Sequence, residues 1–265
     1  MTTGRRLVAL TIAGTDSGGG AGVFADLKTF EAHGVWGTAA VVAVTAQNTV
    51  GVQAFKVLPA ALVRAQVASV AGDIGVQAAK TGMLATAEMV ATVAAAVSDH
   101  LDGVPLVVDT VLVSKHGDTL LADDAVSALR QDLLPLATLV TPNLPEAAAL
   151  VGFAVDSRAA MEEAARELLV AGARAVLVKG GHLSGDRAPD CFVAAGGRPV
   201  WLDGPRVPGR HTHGTGCTLS AAVTARLARG ESLERSVAGA KAFVTRAIEH
   251  GIDLGAGVGP VDPTG

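Results

Sequence analysis

The chain has 265 residues, of which 49% are hydrophobic, and carries a formal net charge of −4 without a block of basic residues. One large α/β domain fits this length, and the small mixed charge argues against nucleic acid as the main partner. No stretch reaches the ~18 consecutive apolar residues of a membrane helix. The two cysteines are too few for a disulfide framework. We therefore predict one domain over residues 1–265 in a soluble, cytoplasmic protein without a nucleic-acid or membrane partner.

The chain opens with a strand, a glycine-rich turn and a helix. Residues 7–13 form a short apolar run, glycines crowd positions 18–22, and apolar residues recur at helical spacing over 23–33. A dinucleotide-binding fingerprint looks similar, but it needs an acidic residue at the end of a second strand about 20 residues later. The next apolar run, over 38–48, ends without an acid, so a nicotinamide cofactor is not favoured.

Strands and helices alternate through the rest of the chain, which predicts a mostly parallel sheet with right-handed crossovers. We predict strands over 54–58, 78–83, 105–108, 133–140 and 173–179, a hairpin over 190–202, and helices over 59–71, 215–229 and 231–250. Thr86 is placed to cap a further helix, and the tail after Leu254 is predicted to be irregular. Gly34–Gly37 is our candidate for a flap, and a simple helix-to-strand turn is the alternative.

Polar residues follow the ends of several predicted strands. Asp109 ends one strand, Asn143 and Glu146 follow another, and Lys179 ends a third. Parallel strands share one C-terminal edge, so we expect these groups to converge there although the sequence separates them. Mg²⁺ prefers oxygen ligands, and Asp109 with Glu146 would hold it directly or through water. The chain lacks the Gly-x-x-x-x-Gly-Lys-Ser/Thr pattern of a Walker-type nucleotide site.

A glycine-rich turn, His211–Thr218, precedes an alanine-rich predicted helix. Free backbone N–H groups and the peptide dipoles make such a helix start attractive to anions, and Gly214 and Gly216 allow a close approach. The same field would favour the thiolate form of Cys217. These features suit a phosphoryl group in transfer. A plain glycine-rich loop with a packed cysteine is the alternative, and the turn alone does not decide between them.

Two other polar positions have competing interpretations. Asp26 lies in the first turns of the first helix, where a solvated carboxylate favoured by the helix dipole explains it without any function. Gln47 and Asn48 end an apolar strand. An amide there both donates and accepts, which suits the edge of an aminopyrimidine, whereas a turn residue that caps its own backbone is equally compatible.

Taken together, the motifs resemble those of the hydroxymethylpyrimidine/phosphomethylpyrimidine kinases of thiamine biosynthesis, which belong to the ribokinase-like superfamily. The resemblance spans roughly residues 7–250 and rests on these segments: Ala9–Gly22, Ala25–Phe30, Ala46–Thr49, Lys80–Leu84, Val108–Val111, Thr141–Ala147, Lys179–His182 and His213–Cys217. It implies an α/β three-layer sandwich with a central, mostly parallel sheet, helices on both faces and a small flap. It also implies ATP and Mg²⁺ as cofactors and a homodimer.

The resemblance also assigns roles to individual residues. The pyrimidine pocket would comprise Gly14, Asp26, Thr45, Gln47, Met83, Val111 and Cys217. Mg²⁺ would be held by Asp109 and Glu146, the anion hole would be formed by Gly214 and Gly216, and the nucleotide would meet Asn143, Lys179, Thr215 and Lys241. Gln47 would bind the amino and nitrogen edge of the ring, and Met83 and Val111 would line the apolar faces of the ring. Thr45 departs from the family's valine-like residue, which would alter the pocket wall.

The turn Gly-Thr-Gly-Cys separates this resemblance from the superfamily's sugar kinases, which have an aspartate base where Cys217 stands. A thiol serves poorly as a base unless its pKa falls from ~8.5 toward neutrality. Because the phosphoryl transition state is loose, the proton of the acceptor can leave late. Cys217 would then position the hydroxymethyl group more than it activates it.

The implied reaction uses ATP twice. The first phosphoryl group goes to 4-amino-5-hydroxymethyl-2-methylpyrimidine and the second to its monophosphate, whose phosphate would be held with help from His213, Lys115 or His116. A pyridoxal kinase of the same fold is the alternative within this class, and a nucleotide-sensing module without catalysis is the alternative outside it. A sugar kinase is disfavoured because Gln47 and Cys217 replace a polar, aspartate-based acceptor site.

Overall fold

Short runs of small and β-branched residues form ten strands in the computed structural model, which describes residues 6–111 and 123–265. In chain order they are β1 (Val8–Ala13), β2 (Trp36–Val41), β3 (Ala43–Asn48), β4 (Gly51–Val57), β5 (Ala78–Thr81), β6 (Leu106–Val108), β7 (Leu139–Val140), β8 (Ala175–Val178), β9 (Asp190–Ala194) and β10 (Val200–Leu202). One sheet has the order β10-β9-β8-β7-β6-β5-β1-β2. Its pairs from β2 to β8 are parallel, and β9 pairs antiparallel with β8 and β10. The predicted mostly parallel sheet is confirmed.

Helices cover both faces of this sheet. They are α1 (Gly22–Ala32), α2 (Ala60–Ser69), α3 (Ala87–His100), α4 (Asp123–Ala128), α5 (Leu144–Val151), α6 (Arg158–Val170), α7 (Thr215–Ala228) and α8 (Leu233–Glu249). As predicted, the Thr86 side chain caps α3 by accepting a hydrogen bond from the Met89 N–H. Across the described chain, none of these helices combines the length and the apolar character that crossing a membrane requires.

Apolar cores lie on both faces of the sheet, because successive side chains of a strand point to opposite sides. Leu106 and Val108 of β6 pack in the core that α2 to α6 cover, whereas Val107 between them packs in the core that α7 and α8 cover. β8 repeats this alternation with Val176 and Leu177. A sheet buried on both faces explains why its strands are continuous apolar runs in the sequence.

The single strand predicted over 38–48 is wrong, since the chain bends there and forms two strands. β2 ends at Val41, and the Val42 N–H still donates to the Ala13 carbonyl at 3.0 Å. β3 then leaves the main sheet and pairs antiparallel with β4. These two strands, residues 43–57, form a separate hairpin over the C-terminal edge of the sheet, and we call it the flap hairpin.

Two further predictions on local structure are corrected. The flap candidate Gly34–Gly37 is instead a helix-to-strand turn: Gly34 has a φ of 70° after α1, and Trp36 already begins β2. The strand predicted over 133–140 is shorter than expected. Helical turns extend to Leu136, and only Leu139–Val140 pairs as β7.

Candidate active site

Two cavities lie at the edge where the parallel strands end, which is where open α/β sheets bind ligands. The flap-side cavity has a volume of about 190 Å³ and is bounded by Phe55 of the flap hairpin and by Cys217. The loop-side cavity has a volume of about 640 Å³ and is bounded by Arg206 and Lys241. The residues that line both cavities are Asn143, Glu146, Lys179 and Gly216. A molecule in one cavity would therefore meet a molecule in the other at these four residues.

The sheet edge brings the predicted site residues together with one exception. The flap-side cavity is lined by Gly14, Thr45, Gln47, Met83, Val111, Gly214, Gly216 and Cys217. The loop-side cavity is lined by Asn143, Lys179, Thr215 and Lys241. Asp109 and Glu146, the predicted metal residues, also line the flap-side cavity. Asp26 is the exception, because its side chain lies behind the cavity wall rather than in it.

Asp26 forms a fully buried ion pair with Lys80 instead of the solvated helix-start carboxylate considered above. Lys80 Nζ donates to both carboxylate oxygens, at 2.9 Å and 3.1 Å, and Thr11 Oγ1 donates to Oδ2 at 2.6 Å. Burial alone would lower the pKa of Lys80, but the charge of Asp26 raises it above its usual value. Lys80 lines the flap-side cavity, so Asp26 acts on that cavity through Lys80.

Asp16 and His213 form a second polar pair in the flap-side cavity. Asp16 Oδ2 lies 2.9 Å from His213 Nε2, and the same carboxylate accepts hydrogen bonds from the N–H groups of Gly18, Gly20 and Ala21. Burial would raise the pKa of Asp16, but the His213 ring and these N–H groups lower it. His213 is thereby fixed at the cavity wall. Lys115 and His116, the other candidates for holding an intermediate phosphate, lie outside the described residues.

The two amides at the end of β3 have different places. Asn48 Oδ1 accepts hydrogen bonds from the N–H groups of Val50 and Gly51 at 2.9 Å and 3.3 Å, so Asn48 caps the turn of the flap hairpin. Gln47 lines the cavity, with Nε2 3.5 Å from His213 Nε2. The turn-capping interpretation thus holds for Asn48, whereas Gln47 faces the cavity.

The wall beside Gln47 explains the departure at Thr45. Thr45 Oγ1 donates to the Thr15 carbonyl at 2.9 Å, and the Thr45 N–H donates to Thr15 Oγ1 at 3.1 Å. A valine could make only the second of these bonds. The threonine hydroxyl therefore ties the flap hairpin to the loop after β1. In the same cavity, Met83 Cε packs so closely on Gly14 that a Cβ on Gly14 would lie 2.5 Å from it.

The glycine-rich turn gives α7 an open N-terminus. Gly214 precedes α7 with a φ of 79°, and a Cβ there would overlap the Gly20 carbonyl oxygen. The first helical hydrogen bond runs from the Thr218 N–H to the Gly214 carbonyl at 2.8 Å. The N–H groups of Gly216 and Cys217 precede that bond and have no helical acceptor. They lie in the cavity wall, where an anion can accept from them.

The thiolate expected for Cys217 is wrong. Burial raises the pKa of Cys217 to about 11, and the carboxylates of Asp26 and Asp109 act in the same direction against the opposing charge of Lys80. The loss of hydration therefore exceeds the stabilising effect of the helix start. At neutral pH Cys217 presents a thiol to the cavity, and a thiol is a weak hydrogen-bond donor.

Asp109 and Lys179 form the ion pair at the junction of the two cavities. Lys179 Nζ lies 3.1 Å from Asp109 Oδ1, and the hydroxyls of Thr141 and Ser220 donate to the two carboxylate oxygens at 3.1 Å each. Burial would raise the pKa of Asp109, but the charges of Lys179 and Lys80 hold it below its usual value. Asp109 is therefore a fixed anion next to a cation that borders both cavities.

Glu146 is held beside this pair by the start of α5. Asn143 and Glu146 form a capping box: Asn143 Oδ1 accepts from the Glu146 N–H at 2.9 Å, and Glu146 Oε2 accepts from the Asn143 N–H at 2.8 Å. Lys179 Nζ is 3.9 Å from the same Oε2. Burial raises the pKa of Glu146 to about 7, aided by the charge of Asp109 and opposed by that of Lys179. Glu146 is therefore poised between its neutral and charged forms near neutral pH.

The two carboxylates fit a magnesium ion shared with a substrate phosphate. The described residues contain no cluster of three or more His, Cys, Asp or Glu side chains arranged for a metal. Mg²⁺ does not need one, since one or two carboxylates, substrate phosphates and water commonly complete its shell. The hydrogen bonds that Glu146 accepts from Thr110 and Asn143 both end on Oε2, which leaves Oε1 for an ion or its water.

The loop-side cavity is built from groups that the protein itself already partners. Lys241 Nζ lies 2.7 Å from Asp190 Oδ2 and donates to the Ala188 carbonyl at 2.8 Å. Its third N–H remains available to a ligand, because an ammonium group has three donors. Thr215 Oγ1 donates to the Thr212 carbonyl at 2.7 Å. Lys241 and Thr215 thus border the cavity as parts of its frame.

The sequence did not single out several residues that line the cavities, among them Asp16, Lys80 and Arg206. Asp16 and Lys80 lie within the motif segments, and Lys80 ends an apolar strand as Lys179 does, a pattern that could have identified it. Arg206 lies in an irregular loop without a pattern. Its guanidinium donates to the carbonyls of Gly181 at 2.7 Å and Gly185 at 2.8 Å, so it shapes the loop that borders the loop-side cavity.

Comparisons with known proteins agree with this geometry. The sequence model of the phosphomethylpyrimidine kinase family matches residues 16–262. A hydroxymethylpyrimidine/phosphomethylpyrimidine kinase of Streptomyces coelicolor is 52% identical over 255 residues, which cover 96% of this chain and 93% of that protein. The solved ADP complex of Bacillus subtilis pyridoxal kinase is 37% identical, with a TM-score of 0.91 and 98% of each chain covered. Phosphomethylpyrimidine kinase of Clostridium difficile is 38% identical, with a TM-score of 0.80, 92% of this chain and 100% of that chain covered.

The three-layer α/β fold and the two cavities that meet at a lysine and a helix start define a ribokinase-like small-molecule kinase. Sequence identity over nearly the whole chain identifies the family within this class. The chain belongs to the phosphomethylpyrimidine kinase family.

Proposed function

We propose that this kinase transfers the γ-phosphoryl group of ATP to the hydroxymethyl oxygen of 4-amino-5-hydroxymethyl-2-methylpyrimidine. A second ATP then phosphorylates the monophosphate to the diphosphate that thiamine diphosphate biosynthesis requires. One observation carries the proposal: the flap-side and loop-side cavities meet at Lys179 and Gly216. An acceptor and a nucleotide bound in them would face each other across the start of α7. Phosphoryl transfer depends mainly on such positioning and on charge stabilisation.

The flap-side cavity suits an aminopyrimidine. The Gln47 amide offers a donor and an acceptor to the amino and nitrogen edge of the ring. Met83 and Val111 would cover its apolar faces, while Gly14 and Thr45 complete the wall. Asp26 would act through Lys80, which it holds at the cavity.

The acceptor oxygen would lie beside Cys217 and the α7 start. The N–H groups of Gly216 and Cys217, with the conformation that Gly214 permits, would stabilise the charge of the transferring group. Cys217, protonated near neutral pH, would hold the hydroxymethyl group in place. Since the transition state is loose, the acceptor does not need an early loss of its proton.

The loop-side cavity suits the nucleotide. Asn143, Thr215 and Lys241 border it, and Lys179 lies between it and the acceptor. The Bacillus subtilis pyridoxal kinase of similar fold was solved with ADP, which supports the use of ATP here. Mg²⁺ would be held by Asp109 and Glu146 and would supply positive charge to the phosphates of the nucleotide.

The second phosphorylation needs a place for the phosphate of the intermediate. His213 lies in the flap-side cavity next to the α7 start, and Asp16 fixes its ring at 2.9 Å. The pyrimidine can stay on Gln47 while the acceptor oxygen moves outward from the hydroxymethyl group to its phosphate. His213 is then the described residue best placed to accompany that phosphate.

Pyridoxal phosphorylation is the second candidate function. It is favoured by the TM-score of 0.91 to Bacillus subtilis pyridoxal kinase, against 0.80 to Clostridium difficile phosphomethylpyrimidine kinase. The pyrimidine remains the first choice, because sequence identity reaches 52% to a pyrimidine kinase and 37% to the pyridoxal kinase. Both acceptors are small aromatic rings that bear a hydroxymethyl group.

Release of ADP from Mg·ATP, with the pyrimidine or pyridoxal as sole acceptor and with products identified by mass, tests the proposal. We expect pyrimidine monophosphate followed by diphosphate. Gln47→Ala should raise KM for the pyrimidine by about tenfold, the loss expected when a ring edge is left unpaired. Gln53→Ala is the matched control, since Gln53 is an exposed amide of the same hairpin. Turnover of pyridoxal alone would assign the protein to the second candidate.

A cytoplasmic location and a homodimer complete the proposal. Cys191 and Cys217 are both free thiols, which agrees with a reducing compartment. The flap hairpin exposes Val44 on its strand and Val50 at its tip, apolar side chains of the kind that subunit contacts use. Light scattering on the eluting protein would give the mass of the particle, and a monomer would contradict the homodimer.

A further inference from the structure

Residues 255–261, which follow α8, lie between the tip of the flap hairpin and the glycine-rich turn. On one side, the Val258 N–H donates to the carbonyl of Thr49, at the hairpin tip, at 2.9 Å. On the other side, the His213 N–H donates to the Gly259 carbonyl at 3.0 Å, and the Val261 N–H donates to the His213 carbonyl at 3.1 Å. We call residues 255–261 the strap, because they connect two parts of the acceptor site that are distant in sequence.

The strap contacts the hairpin tip too closely to admit a side chain. A Cβ on Gly257 would overlap the Thr49 carbonyl oxygen and would lie 2.9 Å from the Val50 nitrogen. These are backbone atoms, so the hairpin could not relieve the overlap by rotating a side chain. The Gly257 N–H also donates to Thr49 Oγ1 at 3.3 Å. The position of the hairpin tip is therefore set by the absence of a side chain at Gly257.

The strap is anchored to the body of the protein at both ends. The Ile252 N–H donates to the Pro260 carbonyl and the Asp262 N–H donates to the Ala247 carbonyl, each at 2.9 Å. Arg210 pairs with Asp253 just before the strap begins. The hydrogen bonds between the flap hairpin and the loop after β1 are made at Ala43, Thr45 and Gln47, away from its tip, and a two-stranded hairpin outside the main sheet is only marginally stable by itself. A bulkier strap would therefore displace the hairpin rather than the strap.

We propose that the strap is a positioning element for the acceptor, which holds the flap hairpin over the flap-side cavity and fixes the backbone of His213 opposite it. The hairpin supplies Thr45, Gln47 and Phe55 to that cavity, and His213 lies 3.5 Å from the Gln47 amide. The strap thus fixes how the hairpin and His213 meet in the wall of the flap-side cavity. This inference rests on the proposed function only for the identity of the acceptor.

Gly257→Ala tests the strap, with Gly72→Ala as the matched control. Gly72 is exposed, and a Cβ there meets no atom within 4 Å. We expect Gly257→Ala to raise KM for the acceptor by about tenfold, since small displacements of positioning groups are costly, and to change KM for ATP by less than about twofold. Hydrogen exchange of the ligand-free protein should be faster in residues 43–57, because local opening sets that rate. Gly72→Ala should match the wild type in all three measurements.

Thr49→Val provides a milder version that avoids a clash, since it removes only the hydroxyl that the Gly257 N–H uses. We expect a rise in acceptor KM of about twofold to threefold, the size of one weak hydrogen bond. The exchange measurement needs no substrate, so it tests the strap even if the acceptor proves to be pyridoxal. Unchanged exchange over residues 43–57 in Gly257→Ala, or equal rises in both KM values, would overturn the proposal.

Discussion

Two lysines at strand ends, Lys80 and Lys179, form ion pairs with carboxylates, and the two ion pairs differ in their surroundings. The sealed centre is Asp26 with Lys80: both side chains are 0% exposed, and Asp26 lies behind Lys80, which forms part of the wall of the flap-side cavity. The open centre, Asp109 and Glu146 with Lys179, lies between the two cavities, and the lysine side chain is 15% exposed. The same ion-pair chemistry is therefore enclosed in one place and accessible to ligands in the other.

This difference shows that similar charged groups can stabilise the fold in one place and serve a ligand site in another. In the sealed centre the two charges and Thr11 satisfy one another, so removal of one partner leaves a buried charge without compensation. Burial raises the pKa of Asp26 as well as that of Glu146, to about 7 for Glu146, but only Glu146 borders both cavities, where a ligand can meet it. Perturbed groups of this kind are typical of sites that bind or transform a ligand. Substitution of Lys179 should therefore mainly lower kcat, and substitution of Lys80 should mainly lower the free energy of unfolding.

The largest effect is expected from Lys179→Met. Its loss removes the cation between acceptor and nucleotide, and kcat should fall by about 10³-fold, as when one preorganised charge donor is lost. The free energy of unfolding should fall less than in Lys80→Met, because Asp109 keeps two hydroxyl donors and the charge of Lys80 after Lys179 is lost. Lys56→Met, at an exposed hairpin position, is the control. A kcat within tenfold of the wild type would remove Lys179 from the reaction.

Lys80→Met should show the reverse signature. The buried Asp26 would lose its partner, so the free energy of unfolding should fall by about 4 kcal/mol. The double variant Asp26→Leu/Lys80→Met should recover most of this loss, since it leaves neither charge buried. Urea unfolding measures both. If the double variant were as unstable as Lys80→Met, the buried charge could not be the cause.

The contrast between the centres also shows what the sequence could predict. Asp109, Glu146 and Lys179 follow apolar strands, and parallel strands end at one edge, so their convergence followed from the order of elements alone. The ion pair of Asp26 with Lys80 could not be predicted from the order of elements, because it depends on where α1 packs on the sheet relative to β5. The thiolate of Cys217 was wrongly predicted for a related reason: the sequence showed the helix start but not the burial of the thiol.

The flap hairpin was missed on physical grounds as well. An apolar run over 38–48 is compatible with one long strand. The chain leaves the main sheet because the pairing of β2 with β1 ends at Val41. The strap was invisible because glycines in an irregular tail show no periodicity. What makes Gly257 necessary is its contact with Thr49, 208 residues away. Contacts of that range come from the folded structure and not from local pattern.

A pH effect should separate Glu146 from the sealed centre. Its pKa is raised from 4.5 to about 7 in the folded protein. Below pH 4.5 the side chain is neutral in both states, and between 4.5 and about 7 the unfolded chain releases the proton first. The wild type should therefore lose about 3 kcal/mol relative to Glu146→Gln as the pH rises through this window, at about 1.4 kcal/mol per pKa unit. Unfolding of both proteins at several pH values measures it, and a constant difference would contradict the raised pKa.

The smallest effect is expected at Cys217, which lies between the two centres and whose pKa responds to Lys80, Asp26 and Asp109. If the thiolate were the base, its fraction, and with it kcat, would rise about tenfold per pH unit below the pKa. We expect instead that kcat changes less than about twofold between about pH 7 and about pH 9, because the thiol positions the acceptor. Cys217→Ser should keep kcat within about fivefold, since its hydroxyl can make a similar contact.

The serine variant sharpens this test, because its hydroxyl does not ionise in that range. A thiolate base requires that the slope and the rate disappear together in Cys217→Ser. If the thiol only positions the acceptor, kcat should be independent of pH in both the wild type and Cys217→Ser, with slightly different values of kcat. A wild-type profile that rises with unit slope and is lost in the variant would return Cys217 to the role of base, with a pKa that still lies above this pH range.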